Sequence, residues 1–130
     1  MKVVQAAGKR KRAIARATLY SGTGKIRINK TLLENFNPEM YRLKLQEPLI
    51  LAGDTANKVD VNITVMGGGV NGQVDAARVA LCRCLVQHNK KLEKSFLSYD
   101  RYLLVSDSRR KEVCKPNDSK ARKARQKSYR

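Results

Sequence analysis

The last 22 residues, Arg109 to Arg130, cannot belong to any hydrophobic core, and this constrains the whole chain more than any other feature. They hold ten Lys or Arg and two acids, Glu112 and Asp118, with Val113 and Cys114 as the apolar side chains beside alanine. Such a stretch buries too little apolar surface to offset the entropy of ordering it. Its order has to come from a polyanion. Fully extended, it reaches roughly 70 Å. The sequence therefore divides into a globular part, 1–108, and an extended basic tail, 109–130.

The charge distribution sharpens this division. The net charge is +17. Residues 1–16 contribute +6 with no acid, and residues 109–130 contribute +8, whereas 17–108 carry only +3. A nearly balanced middle with basic ends points to directed contact with phosphate, because each neutralised phosphate releases condensed counterions. A membrane surface would also attract such ends, but no amphipathic helix rich in Trp, Phe or Leu flanks them. No apolar run approaches the ~18 residues of a membrane span, and Met1-Lys2-Val3-Val4-Gln5 does not open a signal peptide. Three cysteines without framework spacing fit a reducing, cytoplasmic setting.

Along the globular part, Val3–Ala7 reads as a short strand stopped at Gly8. In 13–20, Ile14, Arg16, Thr18 and Tyr20 share one face of a strand and Ala13, Ala15, Ala17 and Leu19 the other, although the alanines also suit a helix. Ser21-Gly22-Thr23-Gly24 reads as a hairpin turn before the strand Lys25–Asn29. Thr31 with Glu34 has the capping-box pattern of a short helix. A second helix is expected from Pro38 to about Leu45, interrupted at Pro48. Residues 59–65 alternate cleanly, with Val59, Val61, Ile63 and Val65 on one face. Past Gly72, Val74, Ala77, Leu81, Cys84, Leu85 and His88 recur at helical spacing, and one short helix is expected within Leu92–Val105. This order predicts an α+β fold, a two-layer α/β sandwich with one sheet and helices packed on one face.

Two motifs could carry chemistry. Gly67-Gly68-Gly69-Val70-Asn71-Gly72 is a literal G-x-G-x-x-G between a strand and a helix. However, the preceding strand alternates instead of being apolar on both faces, and Gln87–Lys91 is no second strand. A tight strand-to-helix turn is the better reading, and it leaves backbone N–H groups free to meet an RNA phosphate. Cys82, Cys84 and His88 lack the further ligands of a tetrahedral metal site and read as part of a packed helix. No nucleophile–base–acid set can be assembled around the single histidine. The expectations are no enzyme, no metal and no cofactor.

Four stretches also converge on one family. Gly8-Lys9-Arg10-Lys11-Arg12-Ala13-Ile14-Ala15-Arg16-Ala17 resembles the N-terminal signature of universal small-subunit ribosomal protein nine. Gly24–Asn29 resembles its second hairpin strand, and Gly67–Arg78 its glycines, Gly-Gln pair and following helix. Asp107–Glu112 and Gln126-Lys127-Ser128-Tyr129-Arg130 resemble its tail. The likeness is collinear over essentially the whole chain, and its ending is similar to the archaeal and eukaryotic branch, with the compact N-terminus leaning archaeal.

The resemblance implies an S5-domain-2-like fold and a place, as a monomer, in the small-subunit head beside other head proteins. It implies binding to 16S-type rRNA in the 3′ major domain, and a tail whose end approaches P-site tRNA. Carried onto this chain, rRNA contact falls to Lys9, Arg10, Lys11, Arg12 and Arg16, to the backbone at Gly68 and Gly69, and to the tail cations Arg109, Arg110, Lys111, Lys115, Lys120, Arg122, Lys123 and Arg125. tRNA contact falls to Lys127, Ser128, Tyr129 and Arg130. Tyr129 stands where many bacterial relatives have a base, and Cys114 where a polar or basic residue is expected. Read from charge alone, the alternative is a basic-armed, DNA-compacting protein.

Overall fold

The alternation of 59–65 becomes the central strand of a five-stranded sheet. The computed structural model describes residues 2–117 and 121–122. Its strands are β1 (Val4–Arg10), β2 (Ala13–Ser21), β3 (Ile26–Ile28), β4 (Thr31–Leu32) and β5 (Val59–Met66), ordered β1-β2-β5-β3-β4. β2 is antiparallel to both β1 and β5, β3 runs parallel to β5, and β4 is antiparallel to β3. A parallel neighbour needs a long crossover, and α1 (Glu39–Ala52) supplies it between β3 and β5. α2 (Val70–His88) and α3 (Leu92–Tyr99) follow. The fold is mixed α+β, with one sheet and three α-helices.

Burial follows the strand period. Ala13, Ala15, Ala17 and Leu19 of β2 and Val59, Val61, Ile63 and Val65 of β5 are buried, and their alternate neighbours face outward. The alanines of β2 are thus the helix-facing set. They pave the sheet where α2 crosses, and Ala76, Ala77 and Ala80 answer them from the helix. Small residues on both sides let the layers approach closely. Gly8 marks the tightest point, because a Cβ there would collide with the Ala76 carbonyl oxygen and lie 2.7 Å from the Ala80 nitrogen. Beyond this floor Leu19, Leu45, Leu81, Leu85, Phe96 and Leu103 fill the core. Truncating any one of these leucines to alanine costs about 2–5 kcal/mol.

Five local expectations are revised. Ser21–Gly24 is not a hairpin turn, because β5 lies between β2 and β3 and pairs with both. β1 runs through Gly8 to Arg10 instead of stopping at the glycine, because ladder pairing with β2 continues to Arg10↔Ala13. Thr31 belongs to β4, and a single 3-10 turn, Leu33–Asn35, replaces the short capped helix with no side-chain cap bond. α1 passes through Pro48. The proline removes one backbone hydrogen bond, but its ring is fully buried in the core, which offsets the loss. α2 begins at Val70, earlier than the glycines suggest.

Cys82 and Cys84 are buried in α2, and Cys84 Sγ donates to the Ala17 carbonyl at 3.4 Å. His88 is exposed. No group of three metal-ligating side chains occurs among the described residues, and none of the described helices is long and apolar enough to cross a membrane. Arg78 lies between Glu47 and Asp100 and ties α2 to α1 and to the end of α3.

Candidate nucleic-acid interface

The hairpin between β1 and β2 turns on Lys11 and Arg12, with Lys11 in the left-handed region at φ 54°. Against its tip lies the turn from β5 into α2. Gly67 and Gly68 have φ of 79° and 65°, a conformation that favours glycine. A Cβ on Gly67 would lie 2.7 Å from the Arg12 carbonyl oxygen, and one on Gly68 3.0 Å from the Ala13 nitrogen. These glycines therefore serve close approach as well as turning. They bring the start of α2 beside Arg10, Lys11 and Arg12.

The start of the tail reaches the same place. Arg83, in the middle of α2, donates from Nη1 to the Ala7 carbonyl at 2.7 Å, from Nε to the Leu104 carbonyl at 2.9 Å and from Nη2 to Ser106 Oγ at 3.3 Å. One side chain thereby joins β1, α2 and the segment leading into the tail. Asp107 continues the fastening. It accepts from the Arg109 backbone N–H at 2.9 Å and from the Arg109 guanidinium, and it lies 3.4 Å from Arg10 Nη1. These bonds hold the Asp107 carboxyl well below the usual carboxylate range, the Arg109 side-chain contact first among the causes.

The result is a cleft of about 1080 Å³ where hairpin, glycine turn and tail root meet. Arg10, Lys11, Arg12, Arg109, Arg110 and Lys111 line it, with Gly68 to Gly72 and Tyr41, and no acid among the described residues lines it. α2 has no side-chain cap at Gly69 and no acid in its first turn. Its first N–H groups lack intrahelical acceptors, and the helix dipole places partial positive charge at this mouth. A Cβ on Gly69 would meet nothing within 4 Å, so the backbone there is open to a ligand. Six cations and a helix start around one opening suit an anion with closely spaced charges.

The residues singled out from the sequence do not all gather here. Lys11, Arg12, Gly68, Gly69, Arg109, Arg110 and Lys111 do. Arg10 is present but already answered, since its side chain is 17% exposed and lies near Asp75 and Asp107. Lys9 and Arg16 point to the opposite, uncovered face of the sheet. Lys115 is exposed beyond the cleft. Arg122 pairs with Glu112 at 2.7 Å, a solvent-exposed bond worth ~0–1 kcal/mol. Lys120, Lys123, Arg125, Lys127, Ser128, Tyr129 and Arg130 lie outside the described residues.

Sequence reasoning missed Arg83, Asp107, Tyr41 and the Lys44–Asp75 pair at 2.6 Å. Only Asp107 has a local signal, as an Asp two residues before an Arg at an Asx turn.

Comparison with known proteins decides what kind of nucleic-acid protein this is. Residues 8–130 match the family model for ribosomal protein S9/S16. The chain belongs to that family. Small ribosomal subunit protein uS9 of Methanococcus maripaludis is 54% identical over the full length of both chains. The uS9 proteins of Methanococcus vannielii and Methanothrix thermoacetophila are 53% and 49% identical, again over the full length of both. The likeness is therefore to the archaeal type. Family membership favours the ribosomal reading over DNA compaction, and the family is structural, not enzymatic.

Proposed function

We propose that the basic cleft docks the chain on small-subunit rRNA and that residues 109–130 form an arm leaving from it. The chain is a structural constituent of the small ribosomal subunit and works in the cytoplasm as part of the ribosome. The observation that carries the docking surface is the convergence of six cations, four of them without an acid partner among the described residues, and the α2 N-terminus on one opening. Sequence specificity is not required of it, because phosphate contacts position a protein without reading bases. The order of four strands, α1, a fifth strand and α2 supports an S5-domain-2-like reading of the fold.

The arm has a fixed origin, since Arg83 and Asp107 fasten its root. Its cations would screen phosphates converging inside the subunit head, beside neighbouring head proteins. Its last residues, Lys127, Ser128, Tyr129 and Arg130, would meet P-site tRNA. Arg130 would supply a charge-assisted, bidentate contact to a backbone phosphate.

Co-sedimentation with small subunits across a salt series tests the docking surface. Replacing Lys11, Arg12 and Arg110 together with alanine should make the dependence of log K on log salt shallower by about 2–3. An unchanged slope would remove the cleft from the contact. Deleting Ser128–Arg130 should weaken P-site tRNA binding to isolated subunits while leaving co-sedimentation intact. Equal tRNA affinity at several salt concentrations would refute the tRNA contact.

A further inference from the structure

Among the described residues, helices cover one face of the sheet and leave the other bare. We propose that this bare face is a second RNA-contacting surface, which holds the sugar–phosphate backbone of an rRNA segment other than the one in the basic cleft. The proposal rests on the chain being an rRNA-bound ribosomal protein, but not on the cleft being its docking site.

A polar outer face is ordinary for an antiparallel sheet, so polarity alone says nothing. The treatment of arginines is what distinguishes this face. The globular part, 1–108, contains eight arginines. Arg10 lies beside Asp75 and Asp107, Arg42 beside Glu39, and Arg78 beside Glu47 and Asp100, while Arg83 is bonded to backbone carbonyls. The four with no side-chain partner among the described residues are Arg12, in the cleft, Arg101, in the turn after α3, and Arg16 and Arg27, both on the bare face. Lys9, Lys25 and Lys30 stand exposed beside them and form no ion pair among the described residues. The one acid that alternates to this face, Asp60, is turned to the backbone. It accepts from the Thr23 and Lys25 N–H groups at 2.8 and 2.9 Å. Its charge holds the loop that carries the chain from β2 across the end of β5 to β3, instead of answering an arginine.

The register shows what these cations frame. Gln5↔Thr18↔Asn62↔Arg27 form one line across four strands, and Ala7↔Arg16↔Thr64 form the next. Amides, hydroxyls and guanidinium groups at this spacing can bond phosphate oxygens and the ribose 2′-hydroxyl. Tyr20 sits half-buried at the end of the same face, where its ring can stack on a base. The surface is also concave. A hollow of about 650 Å³ lies between Arg27, Lys30, Leu32, Asn62 and Thr64, and a second of about 260 Å³ lies beside Tyr20 and Lys25. A protein partner would find a charged centre here, whereas protein interfaces are depleted of charge at their core.

Directed hydroxyl-radical probing in assembled small subunits tests this. An iron–EDTA tether is placed on Asn62→Cys, at the middle of the face, and separately on Lys11→Cys, in the cleft. Both are made in a Cys114→Ser background, because Cys82 and Cys84 are buried, with thiols pushed up by burial to about 12 and about 11, and do not take the tether. The expected result is rRNA cleavage from position 62 at nucleotides distinct from those cut from position 11. Cleavage from position 11 with none from 62 overturns the proposal, as does cleavage of the same nucleotides from both. Cleavage from 62 with none from 11 sustains it and refutes the docking role of the cleft. No cleavage from either position refutes both. In parallel, Arg16→Ala with Arg27→Ala should make the salt dependence shallower by about 1–2, and an unchanged slope overturns the proposal.

Discussion

Replacing Arg83 with methionine keeps most of the apolar stem and removes the three bonds that fasten the root of the tail. The Leu104 carbonyl, partly buried, loses a charged donor at 2.9 Å. A hydrogen bond to a charged group is worth about 1.5–3 kcal/mol, and this one falls at the low end. The Ala7 bond is short but solvent-exposed, and the Ser106 bond is long at 3.3 Å. Each is discounted to about 0.5 kcal/mol for competition with water. The sum is about 2–3 kcal/mol, a large part of a typical 5–15 kcal/mol stability. For a domain of this size it lowers Tm by roughly 10 °C. Urea unfolding followed by circular dichroism measures it directly. Limited trypsin digestion adds a local readout, since cutting after Arg109, Arg110 or Lys111 should accelerate before global unfolding does. Arg83→Lys should recover about half of the loss, because an ammonium cannot meet three divergent acceptors. A destabilisation under about 0.5 kcal/mol with unchanged digestion would refute the reasoning. It would mean that both carbonyls are equally well served by water and that the tail root is held elsewhere.

Gly8→Val should destabilise the domain by about 3 kcal/mol or more, measured by thermal unfolding, because the obstruction is α2 backbone and not a movable side chain; a neutral result would mean that the layers slide freely there. Asp60 and Asp107 are both held below the usual carboxylate range by hydrogen bonds. Their stabilisation is therefore complete above the ordinary value near pH 4 and is lost as pH falls through the lower folded values. Acid titration of the doubly substituted Asp60→Asn, Asp107→Asn chain should show less loss of stability between about pH 4 and pH 2 than the parent, and identical curves would contradict this.

The fold was legible where side-chain pattern and packing agree. β5 could be read from Val59, Val61, Ile63 and Val65 because one buried face imposes period two. The glycines at 67–72 could be read as a turn into a helix because side chains rarely adopt the angles of Gly67 and Gly68, and a Cβ at either would crowd the β1–β2 hairpin. Pro48 and Thr31 were misread because long-range structure overrode a local rule: the Pro48 ring is buried in the core, and Thr31, itself exposed, pairs with Ile28. The proline ring is more use in the core than its missing hydrogen bond is a loss. The β4 edge is two residues long, too short for any period to register.

The candidate site was half legible. Charge located Lys11, Arg12 and Arg109–Lys111, but charge cannot tell a cation aimed outward from one answered within the fold. Arg10 is answered by Asp75 and Asp107, 65 and 97 positions away in sequence. Arg83 gave no sign that it would reach back to Ala7. These are long-range contacts, and nothing in the residues nearby encodes them. The archaeal affinity and the family were legible because the resembling motifs are collinear along the chain.

Most acids of this chain are occupied at home, seven of its eleven among the described residues. Glu39, Glu47, Asp60, Asp75, Asp100, Asp107 and Glu112 all sit on arginines, lysines or backbone N–H groups. The fold therefore holds few acids in reserve against a charge of +17. Salt must then act with opposite signs on the free and the assembled chain. Away from the ribosome, added ions screen the self-repulsion of the cationic surfaces and favour the compact state. Within it, the same ions compete for the phosphates and loosen the hold on RNA. RNA is thus the counter-charge that the protein itself lacks, and assembly is the step at which its electrostatics come into balance.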